Sequence, residues 1–288
     1  MTHTSTEIAA QPEAWRRAAR MAGTVEGLPR PGDRVAVVGC GTSWFMAEAY
    51  AVLREAAGEG ETDAFTATAL PAGRAYDHVL AISRSGTTTE VLDALAGTRA
   101  RTTALVADGA TPVAEAVDHA VVLDFADERS VVQTVFATTA LMLLRASLGT
   151  AVEPLAAEAE EVLADPGSAV DGAAQYTFLG QGWVHGVARE AALKMREAAQ
   201  AWTEAYPQME YRHGPIAIAE PGRVVWVLGD PVPGLLDDLA ATGVRVVDDP
   251  LDPVVDLVRV QRLAVRSAEQ QGLDPDRPRH LTRSVVLG

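Results

Sequence analysis

The stretch Ile82-Ser83-Arg84-Ser85-Gly86-Thr87-Thr88-Thr89-Glu90 decides how this chain reads. An apolar run, Val79-Leu80-Ala81-Ile82, ends there, and a helical pattern opens at Glu90-Val91-Leu92. The pattern predicts a strand, a tight loop and a helix start. The first amides of a helix lack intrahelical acceptors and its dipole is positive at that end, so such a junction attracts anions. A helix cap needs one Ser or Thr. This loop carries five hydroxyl residues, Ser83, Ser85, Thr87, Thr88 and Thr89, and the excess points to a phosphate ligand.

Outward from this loop, apolar β-rich runs alternate with helical patterns. Strands are expected over 34–39, 63–68, 78–83, 102–106 and 120–123, with helices over 44–57, 90–96 and 130–148. The alternation signals βαβ units and parallel sheets covered by helices on both faces, an α/β, Rossmann-like architecture. An Ala/Glu-rich segment, 151–174, reads as a linker helix broken at Asp165-Pro166-Gly167. The pattern then restarts, with strands over 176–179, 223–228 and 244–247 and helices over 185–202, 234–241 and 259–271. The restart has the marks of a repeat. Val38-Gly39-Cys40-Gly41 and Leu179-Gly180-Gln181-Gly182 both lead from strand to helix, and their glycines lie 141 residues apart (180 − 39). Two lobes are expected, 1–150 and 151–288. Where the first lobe has Ser83-Arg84-Ser85-Gly86, the second has Leu228-Gly229-Asp230-Pro231. An aspartate at a helix start repels phosphate, so one phosphate site per chain is expected, in the first lobe.

Composition narrows the partners. The chain has 288 residues, 48% of them hydrophobic, enough for a sizeable core. Lys+Arg number 24 against 39 Asp+Glu, a net charge of −15. Such a surface repels nucleic acid and anionic membranes. Cys40 is the one cysteine, which suits a reducing, cytoplasmic setting. No zinc-ligand spacing, leader or membrane span is legible, so neither metal nor cofactor is expected. Gly39-Cys40-Gly41 resembles a dinucleotide fingerprint, but Trp44 stands where its third glycine belongs.

Two further segments carry chemistry. Glu190, Lys194 and Glu197 recur at i, i+4 and i+7 and share a helix face. A surface salt-bridge ladder explains Glu190 and Lys194 as readily as function does. His213, in the polar run Glu210-Tyr211-Arg212-His213-Gly214-Pro215, is the acid–base candidate. His3 falls in a loose N-terminal tail, His78 and His119 at strand starts, and His185 and His280 are undecided.

These residues resemble the sugar isomerase (SIS) domain family, most closely its double-lobed members. The matching blocks are Cys40-Gly41-Thr42-Ser43, 82–88, Glu128 with 131–134, 190–197, Glu204-Ala205-Tyr206, 212–215 and Arg279-His280-Leu281-Thr282-Arg283-Ser284-Val285. The resemblance implies that Ser43, Ser83, Ser85 and Thr88, with the backbone of Arg84, hold a sugar phosphate beside Cys40, Gly41 and Thr42. It implies that Val131, Gln133 and Lys194 line the sugar, that Glu197 carries a proton between C1 and C2, and that His213 assists ring opening, often from the partner subunit of a homodimer. Two positions depart from the family pattern. Arg283 stands where relatives have an imine-forming lysine; a guanidinium stays protonated and leaves only an anion contact there. Arg84 replaces a glutamine, and either adds charge to the phosphate site or faces solvent. Neither a glutaminase domain nor a cysteine at position 2 is present, so no glutamine-dependent amino transfer is expected within this chain. The implied activity is isomerisation of a sugar 6-phosphate or deamination of an amino-sugar phosphate. The alternatives are cleavage of a phosphorylated sugar–amine adduct and a non-catalytic sugar-phosphate sensor.

Overall fold

The computed structural model describes residues 2–165 and 170–287. The chain opens with α1 (His3–Ala22) and then builds a first α/β unit from β1 (Val35–Gly39), α2 (Thr42–Ala56), β2 (Thr62–Thr66), β3 (His78–Ser83), α3 (Thr89–Ala96), β4 (Arg101–Val106), α4 (Pro112–Glu115), β5 (His119–Val122) and α5 (Val135–Ser147). After α6 (Val152–Ala164) come β6 (Tyr176–Gly180), α7 (Val184–Ala199), β7 (Thr203–Pro207), α8 (Gln208–Tyr211), β8 (Val224–Val227), α9 (Leu235–Thr242), β9 (Arg245–Val247) and α10 (Pro253–Gln270). Both sheets are parallel, ordered β2-β1-β3-β4-β5 and β7-β6-β8-β9. The inner strands β1, β3, β6 and β8 are buried at every position and mostly apolar, as expected where helices cover both faces of a parallel sheet. The fold class is the expected α/β arrangement with two such sheets.

The repeat is visible in detail. Gly41 and Gly182 open the equivalent turns with φ of 55° and 60°, a left-handed conformation that glycine adopts without penalty. Helices α2 and α7 that follow cross at the junction of the two sheets, and equivalent residues meet there. Arg189 pairs with Glu48 at 2.5 Å, 141 positions apart, and stacks on the rings of Trp44 and Phe45. One apolar core runs from Val35 and Phe136 on one side of this crossing to Phe178 and Trp226 on the other.

Several expectations change. Residues around His3 are no loose tail. They begin a 20-residue helix whose Trp15 is fully buried and donates from Nε1 to Thr138 at 3.0 Å. Thr2 caps that helix, and Asp276 accepts from the amides of His3 and Thr4 at 2.8 Å each. Pro12 lies inside it and cannot donate to the carbonyl of Ile8; the Gln11 side chain donates to that carbonyl instead, at 3.1 Å. The segment expected to be a linker helix is helical, as α6, but it packs into the fold, burying Val152, Ala156, Ala159 and Val162 against the same core. Of the expected break there, Pro166 and Gly167 lie outside the described residues. The helix expected over 130–148 starts only at Val135, the one expected from 259 starts at Pro253, and β7 is a strand where none was expected.

The α2–α7 crossing has no room for a side chain at Gly186. A Cβ there would sit 2.5 Å from the Phe45 carbonyl oxygen and 3.0 Å from the Ala49 amide. Gly186→Ala is expected to cost about 1–3 kcal/mol and to lower the thermal midpoint by several degrees. Gly23→Ala, where a Cβ meets nothing within 4 Å, leaves the midpoint in place; calorimetry of the two variants compares them.

Candidate functional site

Strand order reverses on either side of β1, which pairs with both β2 and β3. Ligands of open parallel sheets gather at the C-terminal ends of strands at such a switch point. Both loops singled out in the sequence leave the sheet there, Cys40–Ser43 after β1 and Ser83–Thr88 after β3. Thr88 stands at the cap position of α3, yet its side chain makes no capping bond. The amides of Ser85 and Thr88 have no protein acceptor among the described residues. Ser85 Oγ lies 3.4 Å from Thr88 Oγ1. Ser83 and Ser43 are buried at the base of the junction. Ordinary capping therefore leaves the amides of Ser85 and Thr88 without acceptors among the described residues.

Helix α7 brings charge from the second lobe to the same place. Lys194 is fully buried, and its ammonium donates to Thr42 Oγ1 at 3.1 Å and to Glu197 Oε2 at 2.5 Å, with Glu190 at 3.3 Å. Burial works to lower the Lys194 pKa, but Glu190 and Glu197 outweigh it and hold the group protonated. The Glu190–Lys194 pair is thus no surface ladder. Glu190 is 1% exposed, and burial pushes its carboxyl up to about 7, against the pull of Lys194 and with the push of Glu197. Sequence reasoning left Glu190 out of the site; its i, i+4 spacing to Lys194 was the available signal.

Glu197 is 18% exposed and opens into a cavity of about 370 Å³ shared with Arg196, Gln200, Arg279, His280 and Leu281. A larger groove of about 860 Å³ runs along the flank of α3, lined from 67–76 and 90–100, and touches none of the residues predicted for the site.

Other predicted residues stand apart. The Arg84 side chain neither enters the loop nor faces solvent. It is 2% exposed and donates to the carbonyls of Ser130 at 3.0 Å, Val131 at 3.3 Å and Arg283 at 2.9 Å, with Glu128 at 3.8 Å. Glu128 in turn accepts from the amides of Thr134 and Val135, starting α5 and shaping the loop that carries Val131 and Gln133. The Gln133 side-chain oxygen Oε1 is buried there without a hydrogen-bond partner among the described residues. Arg283 directs its guanidinium to Asp127 and to the Glu128 carbonyl, so its side chain is engaged by protein. The tail continues over the hydroxyl-rich loop: Thr87 donates to Ser284 Oγ at 3.0 Å, and the Thr89 amide to the Val285 carbonyl at 3.3 Å. Cys40 is half-buried against the apolar cluster beneath α3, where burial raises its thiol pKa. His213 is exposed, and no hydrogen bond or ion pair joins it to Glu197 or to the hydroxyl loop among the described residues.

The second lobe closes its equivalent junction from within. Gln208 donates from Nε2 to the carbonyls of Leu228 at 3.4 Å and Asp230 at 3.0 Å, and its Oε1 accepts from the Val232 amide at 2.7 Å. This internal plug, as well as the charge of Asp230, distinguishes that loop from the first.

Glu190 generates a pH signature. Its folded carboxyl holds a proton up to about 7, whereas its ordinary value is 4.5. The folded state binds the extra proton between those values, so the Glu190 contribution to stability falls as pH rises through that window and is level above it. Glu190→Gln is expected to flatten that slope relative to the parent, read from urea midpoints measured across the same window.

No protein-family model matches the chain. The glutamine–fructose-6-phosphate aminotransferase (isomerizing) of Methanothermobacter thermautotrophicus is 27% identical over 305 aligned residues, covering 88% of this chain and 52% of its own length. The chain thus spans about half the length of the curated relatives it matches over most of its own. The crystal structure of glucosamine-6-phosphate deaminase from Thermotoga maritima superposes with a TM-score of 0.82 at 26% identity, over 99% of this chain and 100% of that one. Tagatose-6-phosphate ketose/aldose isomerase from Escherichia coli shares the fold, with a TM-score of 0.80 at 19% identity over 96% and 95% of the two chains. No helix among the described residues is long and apolar enough to cross a membrane. Matched almost end to end by a glucosamine-6-phosphate deaminase structure, and carrying two parallel sheets in one polypeptide, the chain is similar to the double-lobed proteins of the sugar isomerase (SIS) domain family.

Proposed function

We propose that this protein binds a sugar 6-phosphate and moves a proton between its C1 and C2, as an aldose–ketose isomerase or an amino-sugar-phosphate deaminase. One observation carries this reading. Lys194 joins Thr42, at the first-lobe hydroxyl junction, to Glu197 from the second lobe, which holds a carboxylate next to the anion loop. The phosphate accepts from the hydroxyls of Ser43, Ser83, Ser85 and Thr88 and from the free amides of Ser85 and Thr88. The sugar then extends toward Glu197, past Val131 and Gln133. Glu197 removes the proton α to the carbonyl and returns it one carbon away. The Lys194 ammonium lies beside it and stabilises the enediolate oxygens. In an amino sugar the same proton transfer precedes loss of ammonia, and the name of the whole-length neighbour, glucosamine-6-phosphate deaminase, supports that branch.

His213 is proposed to assist ring opening from a second copy of the chain in a cytoplasmic homodimer, since within one chain it has no contact with Glu197. Glu197→Gln and His213→Asn are each expected to bind the substrate and lose turnover, by about 10²–10⁴-fold for Glu197→Gln. Mixed and refolded together, the two variants regain part of the activity through hybrid dimers. Absence of complementation, with both variants dimeric and binding, removes the shared-site assignment.

Ser83→Ala combined with Ser85→Ala tests the anion loop. Calorimetric titration with hexose and hexosamine 6-phosphates is expected to show binding to the parent and none to the double variant; equal affinity refutes the phosphate assignment. The same panel, scored for isomerisation and for released ammonia, separates the two activities.

A further inference from the structure

Isomerisation moves two protons, and Glu197 accounts for one. When C2–H breaks and C1–H forms, a proton must also leave the oxygen on C2 and reach the oxygen on C1. That second transfer needs a group able to hold and release a proton near neutral pH, in reach of the same substrate. Lys194 is unsuited because it is locked as a cation between two carboxylates. Arg283 is unsuited because a guanidinium stays protonated and because its side chain is taken by Asp127.

The histidines reduce to one. His78 is fully buried, accepts from Arg101 at 3.1 Å, and is pushed down to about 4 by burial and by Arg101. His119 packs against Gly27, and His3 stands in the first turn of α1 beside Asp276. His185 lies near Arg189, and burial lowers its pKa. His213 has no hydrogen bond or ion pair to Glu197 within the chain among the described residues, and from a second copy it is assigned to ring opening instead. His280 lines the cavity of about 370 Å³ into which Glu197 opens.

The backbone marks the same place independently. Among the described residues, the two non-glycine positions with positive φ are Gln200 at 53° and His280 at 65°, and both line this cavity. Gln200 has an ordinary reason, as the left-handed cap of α7. His280 ends no helix. It costs free energy to hold a non-glycine residue there, and such residues cluster at functional sites. The tail is fixed on both sides of it, by Asp276 on α1 and by the Arg283 carbonyl, Ser284 and Val285 on Arg84 and the hydroxyl loop. The strap thus holds His280 at the wall of the cavity into which Glu197 opens.

Resting on the proposed sugar-phosphate reading, we infer that His280 is the acid–base residue that carries the oxygen-bound proton between C2 and C1 of the substrate. As Glu197 takes the proton from C2, the imidazolium gives its proton to the carbonyl oxygen on C1, and an enediol forms. The neutral imidazole then takes the proton from the hydroxyl on C2, that oxygen becomes the carbonyl, and Glu197 returns its proton to C1. No electron leaves the substrate, and both side chains end as they began.

His280→Asn tests this, because asparagine also tolerates positive φ and keeps the strap in place. On a sugar 6-phosphate that the parent turns over, kcat is expected to fall about 100-fold or more, with KM little changed. In His280→Gly, free imidazole in the buffer is expected to restore part of the turnover, an effect that a purely structural role would not produce. Parent-like kcat in His280→Asn overturns the assignment while leaving the isomerase reading intact. So does a loss in His280→Gly that imidazole leaves unchanged. A parent protein that binds sugar phosphates and turns over none removes the isomerase reading itself, and this assignment with it.

Discussion

A buried ammonium must be neutralised where it lies, because its desolvation is not repaid by distant charge. Lys194 meets that demand with Glu190 beneath it and Glu197 at the rim, and spends a remaining donor on Thr42 of the other lobe. The arrangement of the site follows from this. Two carboxylates lie beside one cation, and burial, with the push of Glu197, raises the Glu190 carboxyl to about 7. Glu197, at the edge, keeps access to the cavity. The bond to Thr42 makes the position of α7 relative to the first sheet a condition of pairing the charge at all.

The repeated architecture explains how residues of the two halves meet. At the crossing of α2 and α7, equivalent residues of the two repeats touch, Glu48 with Arg189 and Phe45 with Gly186. A crossing of this kind places the helix that begins after β6 beside the loop that follows β1, and the polar face of α7 is turned toward the first lobe's switch point. The repeats then diverged in function. The first keeps a loop with unspent hydroxyls and amides, and the second fills the corresponding loop with the amide of Gln208.

Much of this was legible in the residues. The alternation of strands and helices, the glycine turns 141 positions apart and the hydroxyl excess after β3 are local patterns, and local patterns survive in a linear reading. The first helix was not legible, because Pro12 breaks the helical signal and the repair comes from the neighbouring Gln11 side chain and from packing against α5 and α10. The Glu190–Lys194 spacing suited a solvated ladder as well as a buried pair, since i, i+4 geometry is the same on either face of a helix.

What the sequence by itself determined is therefore the fold class, the repeated strand–glycine–helix pattern and the place of the hydroxyl-rich loop after β3, all set by patterns within a few turns of chain. Only the tertiary structure decided the direction of Arg84, which clamps a carbonyl 199 residues away, the burial of Lys194 against a hydroxyl 152 residues away, and the meeting of His280 with Glu197 in one cavity. The reason is physical. Whether a charged side chain seeks water or a partner depends on what distant chain removes its solvent, and no spacing along the sequence records that.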